Sequence, residues 1–403
     1  MYEYRSQPWK TLYLTYQVIT TPLIRIPLWI AYYIPHSTRP RPSWSLKRTI
    51  VVKLIKHLGY ISTKVGKMNL GGAVHNHLVL DDGASVKGAW IAPTPHLITG
   101  DVKKWAADAG VECMRIPGYW LEKEGTSRDV GAPPLPGEKV LYALHGGGYA
   151  NNSAHPDDIT SNIARGLLKH VPSIQRAFSV EYRLTTGPPE EIANPFPAAL
   201  LDAIAGYNYL VNEVGFSPRD IILEGDSAGA NLALALVRYL VENNNTSPDI
   251  HLPDAPGNLI LCAPWGDIGD STITPGSSAY KNADSDYINM LSERYKQLRK
   301  DFAGPLGIEA TNTNRYISPA SVYPGMENVS FKGFPRTFIT AGGAEVLVDT
   351  IRNLRDKMVQ DLGEAQIEYF EAPDGIHDYL VMTWHELERT ETLRRISAWL
   401  STI

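Results

Sequence analysis

The sequence predicts an α/β protein with a central, mostly parallel β-sheet, flanking helices and a helical cap. From Val86 onward, short apolar runs alternate with helical patterns, which is typical of βαβ units. A chain of 403 residues is long enough for one large α/β domain with insertions. A hydrophobic content of 43% and a charged content of 20% exclude a disordered chain.

The first 70 residues precede the predicted sheet and have mainly helical patterns. Their most apolar part runs from Thr11 to Pro35, where Pro22, Arg25 and Pro27 interrupt it. No uncharged, unbroken run therefore reaches the roughly 18–20 residues that span a bilayer. We expect residues 1–70 to form a cap over the strand ends or a membrane-proximal segment, with peripheral membrane contact through residues 8–35.

Residues 71–403 form the predicted main α/β domain. The segments with strand patterns are 86–93, 111–117, 139–145, 177–184, 220–225, 258–264, 336–342 and 366–373. The segments with helical patterns are 197–214, 227–244, 286–303, 347–362 and 385–400. The tract 267–329 is rich in Gly, Pro, Ser and Asn around one helix, which predicts a cap insertion.

A serine lies between two glycines at the end of one predicted strand. The apolar run Ile221–Leu223 leads into the sequence GDSAG, residues 225–229, and then into a strongly helical run. A strand, Gly-x-Ser-x-Gly and a helix in this order form a nucleophile elbow, which exposes the serine hydroxyl above the sheet. A GDSxG sequence also occurs in all-β serine proteases, but the parallel-sheet pattern argues against that class. We therefore predict that Ser227 is a nucleophile.

A serine hydroxyl needs a base to take its proton, and the base needs an orienting acid. His377 follows the strand pattern of 366–373, and Glu345 follows that of 336–342. Ligands of open α/β sheets bind at the carboxyl ends of strands, where both residues are predicted to lie. His385 also follows the serine, but it opens a predicted helix and is more simply a surface or capping residue.

The acid has more than one candidate. Glu345 has the position directly after a strand, whereas Asp349 lies four residues further on, inside the next predicted helix. Asp374 and Asp378 flank the histidine. We favour Glu345 over Asp349, which is otherwise explained as a surface or helix-start carboxylate.

Several motifs resemble those of one family of esterases. In chain order they are HGGGY from His145, VEYRL with NPFPAALLDA, GDSAG, APWGD, ISPA, GGAEVL and IHDY. The chain is similar to the hormone-sensitive-lipase-like esterases, a branch of the α/β-hydrolase superfamily, and the region around RPRPSWSLKR resembles extensions of fungal members. The resemblance implies the α/β-hydrolase fold, with residues 71–403 as its catalytic domain.

The same resemblance implies roles for individual residues. Ser227, Glu345 and His377 would be nucleophile, acid and base, and the amides of Gly147, Gly148 and Ala228 would form the oxyanion hole. Tyr149 and Asp226 are candidates for the substrate pocket. His145 lies upstream of the nucleophile and is expected to position the glycine loop. Two departures stand out: Glu345 replaces the usual Asp of G-x-D-P-L, and TTGPPEEIAN replaces a short APE connection.

The expected reaction is hydrolysis of short- to medium-chain or lipophilic esters, including natural-product esters and lactones, through an acyl-enzyme. Transfer of the acyl group to an alcohol or amine, and a non-catalytic binding protein with a hydrolase fold, remain alternatives. No cofactor or metal is expected, since the sequence contains no clustered ligand set. A formal net charge of −5 gives no reason to expect a nucleic-acid partner. We expect an intracellular protein, cytoplasmic or peripherally bound to membrane.

Overall fold

An eight-stranded sheet forms the centre of the molecule. The computed structural model describes residues 2–66, 77–81, 83, 86–244 and 250–402. The strands are β1 (Lys87–Ile91), β2 (Ile116–Glu122), β3 (Lys139–Leu144), β4 (Ile174–Val180), β5 (Ile221–Asp226), β6 (Asn258–Cys262), β7 (Arg336–Gly342) and β8 (Ile367–Ala372). Their order is β1-β2-β4-β3-β5-β6-β7-β8. The pairs β1–β2 and β2–β4 are antiparallel and the other five pairs are parallel, so the prediction of a mostly parallel sheet is confirmed.

Helices cover both faces of this sheet. They are α1 (Trp9–Thr20), α2 (Ile26–Tyr33), α3 (Leu46–Val65), α4 (Gly100–Asp108), α5 (Ser161–His170), α6 (Ala198–Asn208), α7 (Ala228–Asn243), α8 (Ser278–Lys281), α9 (Glu293–Ala303), α10 (Ala310–Thr313), α11 (Val348–Leu362) and α12 (Glu388–Leu400). A π-helical turn, Thr21–Arg25, joins α1 to α2. The apolar core on one face includes side chains of α6, α7 and α11, and the core on the other face includes those of α5 and α12.

Two strands lie elsewhere than predicted. The strand predicted over 111–117 corresponds to β2, which lies later in the chain, at Ile116–Glu122. The sequence pattern does not show this position, because Pro117 and Gly118 resemble turn residues. Gly118 is required there, since a Cβ would lie 2.4 Å from the ring of Phe178. The strand predicted over 177–184 begins earlier and ends at Val180. Beyond it, Arg183 leaves the sheet and forms a buried ion pair of 2.8 Å with Asp202 of α6.

The helix predictions need similar corrections. The tract 267–329 contains α8, α9 and α10 instead of one helix, and α9 begins at Glu293 because the Ser292 hydroxyl accepts a hydrogen bond from the Tyr295 amide. The last helix begins at Glu388, not at His385. His385 is fully buried, so its prediction as a surface or capping residue is wrong.

The N-terminal segment is helical, as the sequence predicts, over α1, α2 and α3. The predicted boundary between residues 70 and 71 lies outside the described residues. Within the described ranges, no helix is both long enough and apolar enough to cross a membrane.

Candidate active site

Ser227 occupies a sharp turn between β5 and α7. Its backbone has φ +52° and ψ −114°, a combination that non-glycine residues rarely adopt. The neighbouring backbone holds the turn in place, because the Ser227 amide donates to the Cys262 carbonyl at 2.9 Å and the Trp265 amide donates to the Ser227 carbonyl at 3.0 Å. The serine hydroxyl therefore has a fixed position at the carboxyl edge of the sheet.

The two glycines of the motif permit close packing around this turn. A Cβ on Gly225 would lie 2.4 Å from the Gly229 backbone, and a Cβ on Gly229 would lie 1.9 Å from the carbonyl oxygen of Leu144. Neither distance is compatible with a side chain. Ser227 is thus the residue of the motif with the unusual φ angle. The glycines are needed for a different reason: without side chains, they allow the start of α7 to lie in direct contact with the end of β3.

The structure brings Ser227, His377 and Glu345 together in a chain of hydrogen bonds. His377 Nε2 lies 2.9 Å from Ser227 Oγ, and His377 Nδ1 lies 2.8 Å from Glu345 Oε2. The other carboxylate oxygen of Glu345 accepts a hydrogen bond of 2.7 Å from the Gly342 amide. All three side chains are buried. In this arrangement an imidazole can take a proton from a hydroxyl while a carboxylate fixes its tautomer.

Two of the competing acid candidates, Asp349 and Asp374, have other partners. Asp349 is in the first turn of α11, where it accepts a hydrogen bond of 2.7 Å from the Ser278 amide and pairs with Arg352 at 3.2 Å. Asp374 accepts a hydrogen bond of 2.7 Å from the Ser43 hydroxyl. Of these carboxylates, Glu345 is the one at hydrogen-bond distance from His377 Nδ1.

The glycine run after β3 presents free backbone amides. Gly147 and Gly148 have φ +116° and +62°, and a Cβ on Gly147 would lie 2.3 Å from the Asn151 carbonyl oxygen. Among the described residues, the amides of Gly147 and Gly148 donate no hydrogen bond to the protein. Ala228 begins α7, so its amide has no partner within the helix. All three amides are thus available to an external acceptor.

The side chains around the glycine run hold it in position. The Gly146 amide donates to Asp226 Oδ1 at 2.8 Å. His145 stacks on Tyr182, with 4.2 Å between ring centroids, and its Nδ1 lies 2.7 Å from the Gly146 carbonyl oxygen. Burial lowers the pKa of His145, which suits a neutral ring. His145 thus contacts the glycine loop, as the sequence predicts.

The two residues predicted for the substrate pocket are both buried. Tyr149 is 2% exposed, stacks on Phe302 with 4.2 Å between ring centroids, and donates a hydrogen bond of 2.7 Å to Asn231. Asp226 is 3% exposed and contacts the glycine run. Burial, together with the nearby carboxylates of Asp378 and Glu224, raises the pKa of Asp226 well above its ordinary value.

Two further carboxylates lie beside the histidine. Asp378 Oδ2 lies 3.1 Å from His377 Nε2. Asp286, from the insertion, is fully buried and accepts hydrogen bonds from the amides of Val346 and Tyr287, at 2.8 and 2.7 Å. Asp378 is among the acid candidates that the sequence offers, but its carboxylate lies beside Nε2 of His377 and not beside Nδ1. Asp286 gives no such signal, because the Val346 amide that it contacts is distant in the chain.

The carboxylates of Asp378 and Glu345 favour the charged form of the His377 imidazole. Burial alone would lower the pKa of His377, but the carboxylates of Asp378 and Glu345 both favour the protonated ring, and the pKa of His377 lies well above its ordinary value. Burial raises the pKa of Glu345 to about 7, although the hydrogen bond to His377 opposes this shift. Within the described residues, no group of three His, Cys, Asp or Glu side chains is arranged to hold a metal ion.

The sequence matches a known family over the region that contains these residues. The match covers residues 141–381, and the family is described as having the alpha/beta hydrolase fold. The chain belongs to this family. The eight-stranded sheet, with β2 antiparallel and the remaining strands parallel to one another along β4-β3-β5-β6-β7-β8, is the core of this alpha/beta hydrolase.

Three curated bacterial relatives of this alpha/beta hydrolase are named as esterases or as an acetyl-hydrolase. An esterase of Acinetobacter venetianus is 28% identical over 55% of this chain, and the match spans 62% of that protein. Esterase LipU of Mycobacterium tuberculosis is 27% identical over 73% of this chain and 84% of its own length. An acetyl-hydrolase of Streptomyces hygroscopicus is 29% identical over 62% of this chain and 69% of its own length.

Solved structures share the fold. A crystal structure of EstE5 soaked with p-nitrophenyl butyrate has a TM-score of 0.57 at 21% identity and covers 89% of this chain and 98% of its own. An esterase from the bacterial hormone-sensitive lipase family has a TM-score of 0.54 at 22% identity, over 93% of this chain and 96% of its own.

Proposed function

We propose that this alpha/beta hydrolase is a serine carboxylic-ester hydrolase of the hormone-sensitive-lipase-like branch. The observation that carries the proposal is the hydrogen-bond chain from Ser227 Oγ through His377 to Glu345. Such a chain activates a hydroxyl for attack on an acyl carbon. The esterase and acetyl-hydrolase names of the curated relatives agree with this chemistry.

The reaction proceeds in two halves. His377 Nε2 takes the Ser227 proton as Oγ attacks the ester carbonyl, and the amides of Gly147, Gly148 and Ala228 donate to the oxyanion. The proton then passes from His377 to the leaving alcohol, which leaves an acyl-serine. In the second half, water attacks the acyl group, His377 accepts the proton from the water and returns it to Ser227, and the carboxylic acid departs.

We infer that the acyl group of the substrate is apolar, because apolar side chains lie beside the glycine run. A Cβ on Gly148 would lie 3.2 Å from Leu298 of α9 and 4.0 Å from the Trp265 ring. Apolar side chains thus stand beside the amides that are proposed to bind the oxyanion, and apolar contact is what an acyl chain requires.

Active-site labelling and a pair of acid variants test the proposal. The wild type should react with a fluorophosphonate probe and hydrolyse p-nitrophenyl acetate, whereas Ser227→Ala should do neither. Glu345→Ala should lower kcat by about 10³–10⁴-fold, because His377 loses its orienting partner. Asp349→Ala is the matched control, and it should change kcat little. Persistent labelling of Ser227→Ala, or a larger loss in Asp349→Ala than in Glu345→Ala, would contradict these assignments.

A further inference from the structure

The outer face of the N-terminal helices is unusually apolar. Eleven of the twenty-five exposed large apolar side chains among the described residues lie between Trp9 and Ile34. Val18 is 72% exposed and Leu23 is 71% exposed. The face that packs on the protein includes polar as well as aromatic side chains, since Gln17, Thr21 and Tyr33 are buried and Thr21 Oγ1 lies 3.2 Å from His57 Nε2. A surface helix of a soluble protein turns its apolar side chains toward the core, whereas these helices leave most of theirs exposed.

Two basic residues, Lys10 and Arg25, lie inside this helical stretch. The Arg25 guanidinium turns back along the helix, where it hydrogen-bonds the Thr20 hydroxyl and lies 5.4 Å from the centroid of the Tyr16 ring. Pro22 lies within the π-helical turn that joins α1 to α2, so the helical path continues through it. The exposed side chains of both helices therefore belong to one elongated surface, which we call the N-terminal apolar face (the exposed apolar residues from Trp9 to Ile34).

The charged residues within the N-terminal segment have one sign. Eleven Lys and Arg residues and no Asp or Glu lie between Glu3 and Asp81, in a chain whose formal net charge is −5. Some of these cations are compensated, such as Arg48 by Glu388 at 2.7 Å. Lys10, Lys47 and Lys53 form no ion pair with any residue that the structure describes. Basic residues beside an exposed apolar helix face are typical of segments that bind anionic lipid surfaces.

We propose that the N-terminal apolar face binds the surface of an anionic lipid bilayer, with α1 and α2 lying in the plane of the interface. Apolar side chains such as Leu23 and Leu28 enter the acyl-chain boundary, while the surrounding cations meet the headgroups. Exposed Trp9, Tyr16 and Tyr32 suit the interface, where aromatic rings with a polar edge are enriched. A second copy of the chain is a poorer occupant, because two segments without acidic residues would repel each other.

The N-terminal segment also contacts the insertion beside the candidate active site. Arg294 donates a hydrogen bond of 2.9 Å to the Ser62 hydroxyl of α3, and Lys56 of α3 donates to the Ala283 carbonyl. In the same part of the insertion, the Tyr287 ring centroid lies 5.9 Å from that of His377. The helices that are proposed to meet the bilayer are thus joined by α3 to the residues around His377.

Vesicle co-sedimentation of the full chain tests this inference without using its activity. Vesicles of phosphatidylcholine with phosphatidylserine should bind the protein, phosphatidylcholine alone should bind it more weakly, and added salt should weaken binding to the anionic vesicles. A triple variant, Val18→Ser, Leu23→Ser and Leu28→Ser, should bind the anionic vesicles at least about tenfold more weakly, because it removes three apolar side chains from the buried face.

The matched control changes three exposed apolar residues outside this face. Leu135→Ser, Ile159→Ser and Val322→Ser together should bind the vesicles like wild type, and both triple variants should keep the wild-type melting temperature within a few degrees and hydrolyse p-nitrophenyl acetate normally. Failure of the wild type to sediment with any vesicle would overturn the inference, as would equal loss in both variants. Self-association of the wild type that the first variant abolishes, without vesicle binding, would identify a second copy as the occupant and also overturn it.

Discussion

At the scale of single residues, Asp378 gives the clearest prediction. Its carboxylate lies 3.1 Å from His377 Nε2, the atom that also faces Ser227 Oγ. Together with Glu345 it stabilises the protonated ring and raises the pKa of His377, against the effect of burial. A protonated His377 cannot act as a base, so activity is lost as the pH falls through this pKa. Asp378→Asn should lower the pKa of His377 and move the acidic limb of the kcat/KM profile to lower pH.

The measurement is kcat/KM for p-nitrophenyl acetate from pH 4 to 9. Asp374→Asn is the control, because Asp374 lies in the same loop and contacts Ser43 rather than the histidine. It should leave the acidic limb in place. If Asp378→Asn moved the limb to higher pH, the Asp378 carboxylate would not be stabilising the imidazolium.

The sequence predicts Ser227, His377 and Glu345 better than it predicts their surroundings. Each of the three follows a strand, and parallel strands bring their carboxyl ends to one edge of the sheet. Asp286 follows no strand and reaches the site through the fold of the insertion, where it accepts a hydrogen bond from the Val346 amide. The burial of His385 is likewise not predictable from the sequence, because no pattern distinguishes a buried histidine before the last helix from an exposed one.

At the scale of elements, the turn between β5 and α7 depends on contact between backbones. Gly229→Ala would place a Cβ 1.9 Å from the Leu144 carbonyl oxygen, so α7 would have to move away from β3. Strain of this kind costs about 1–3 kcal/mol of unfolding free energy. The variant should melt at a lower temperature and lose esterase activity, since Ser227 would move with the start of α7.

Gly59→Ala is the matched control for that variant. Gly59 lies inside α3, and a Cβ there would meet no atom within 4 Å. Alanine favours a helix interior by about 0.5–1 kcal/mol over glycine. This variant should keep full activity and melt at the wild-type temperature or above it. Thermal unfolding followed by circular dichroism separates the two cases, and equal melting temperatures for both variants would contradict the proposed contact.

Elements of mixed composition are those that the sequence predicts least well. The strands β5, β6 and β7 are buried on both faces and appear as apolar runs, and their predicted positions agree with the structure. In β2, Pro117 and Gly118 interrupt the apolar run. The structure explains Gly118, because a side chain at this position would collide with the Phe178 ring. The N-terminal helices are visible in the sequence, but which of their faces packs on the protein depends on tertiary contacts such as that of Thr21 with His57.

At the scale of the whole molecule, a buried acid in the central strand links folding stability to pH. Glu224 of β5 is 2% exposed, and its Oε1 has no hydrogen-bond partner among the described residues. Burial raises the pKa of Glu224 to about 8, from an ordinary value of 4.5. Between these values the unfolded chain releases the proton while the folded chain keeps it, so this residue makes the folded state less stable as the pH rises from 4.5 to 8.

Glu224→Gln should remove this dependence, because glutamine resembles the protonated acid and does not titrate. The melting temperature of the variant, relative to wild type, should therefore be higher at pH 8 than at pH 5. Circular-dichroism melts at both values measure the difference, and groups that titrate alike in both proteins cancel. Glu368→Gln, an exposed change on β8, should give the same offset at both pH values. A pH-independent offset for Glu224→Gln would mean that the folded chain does not hold this proton more tightly than the unfolded chain.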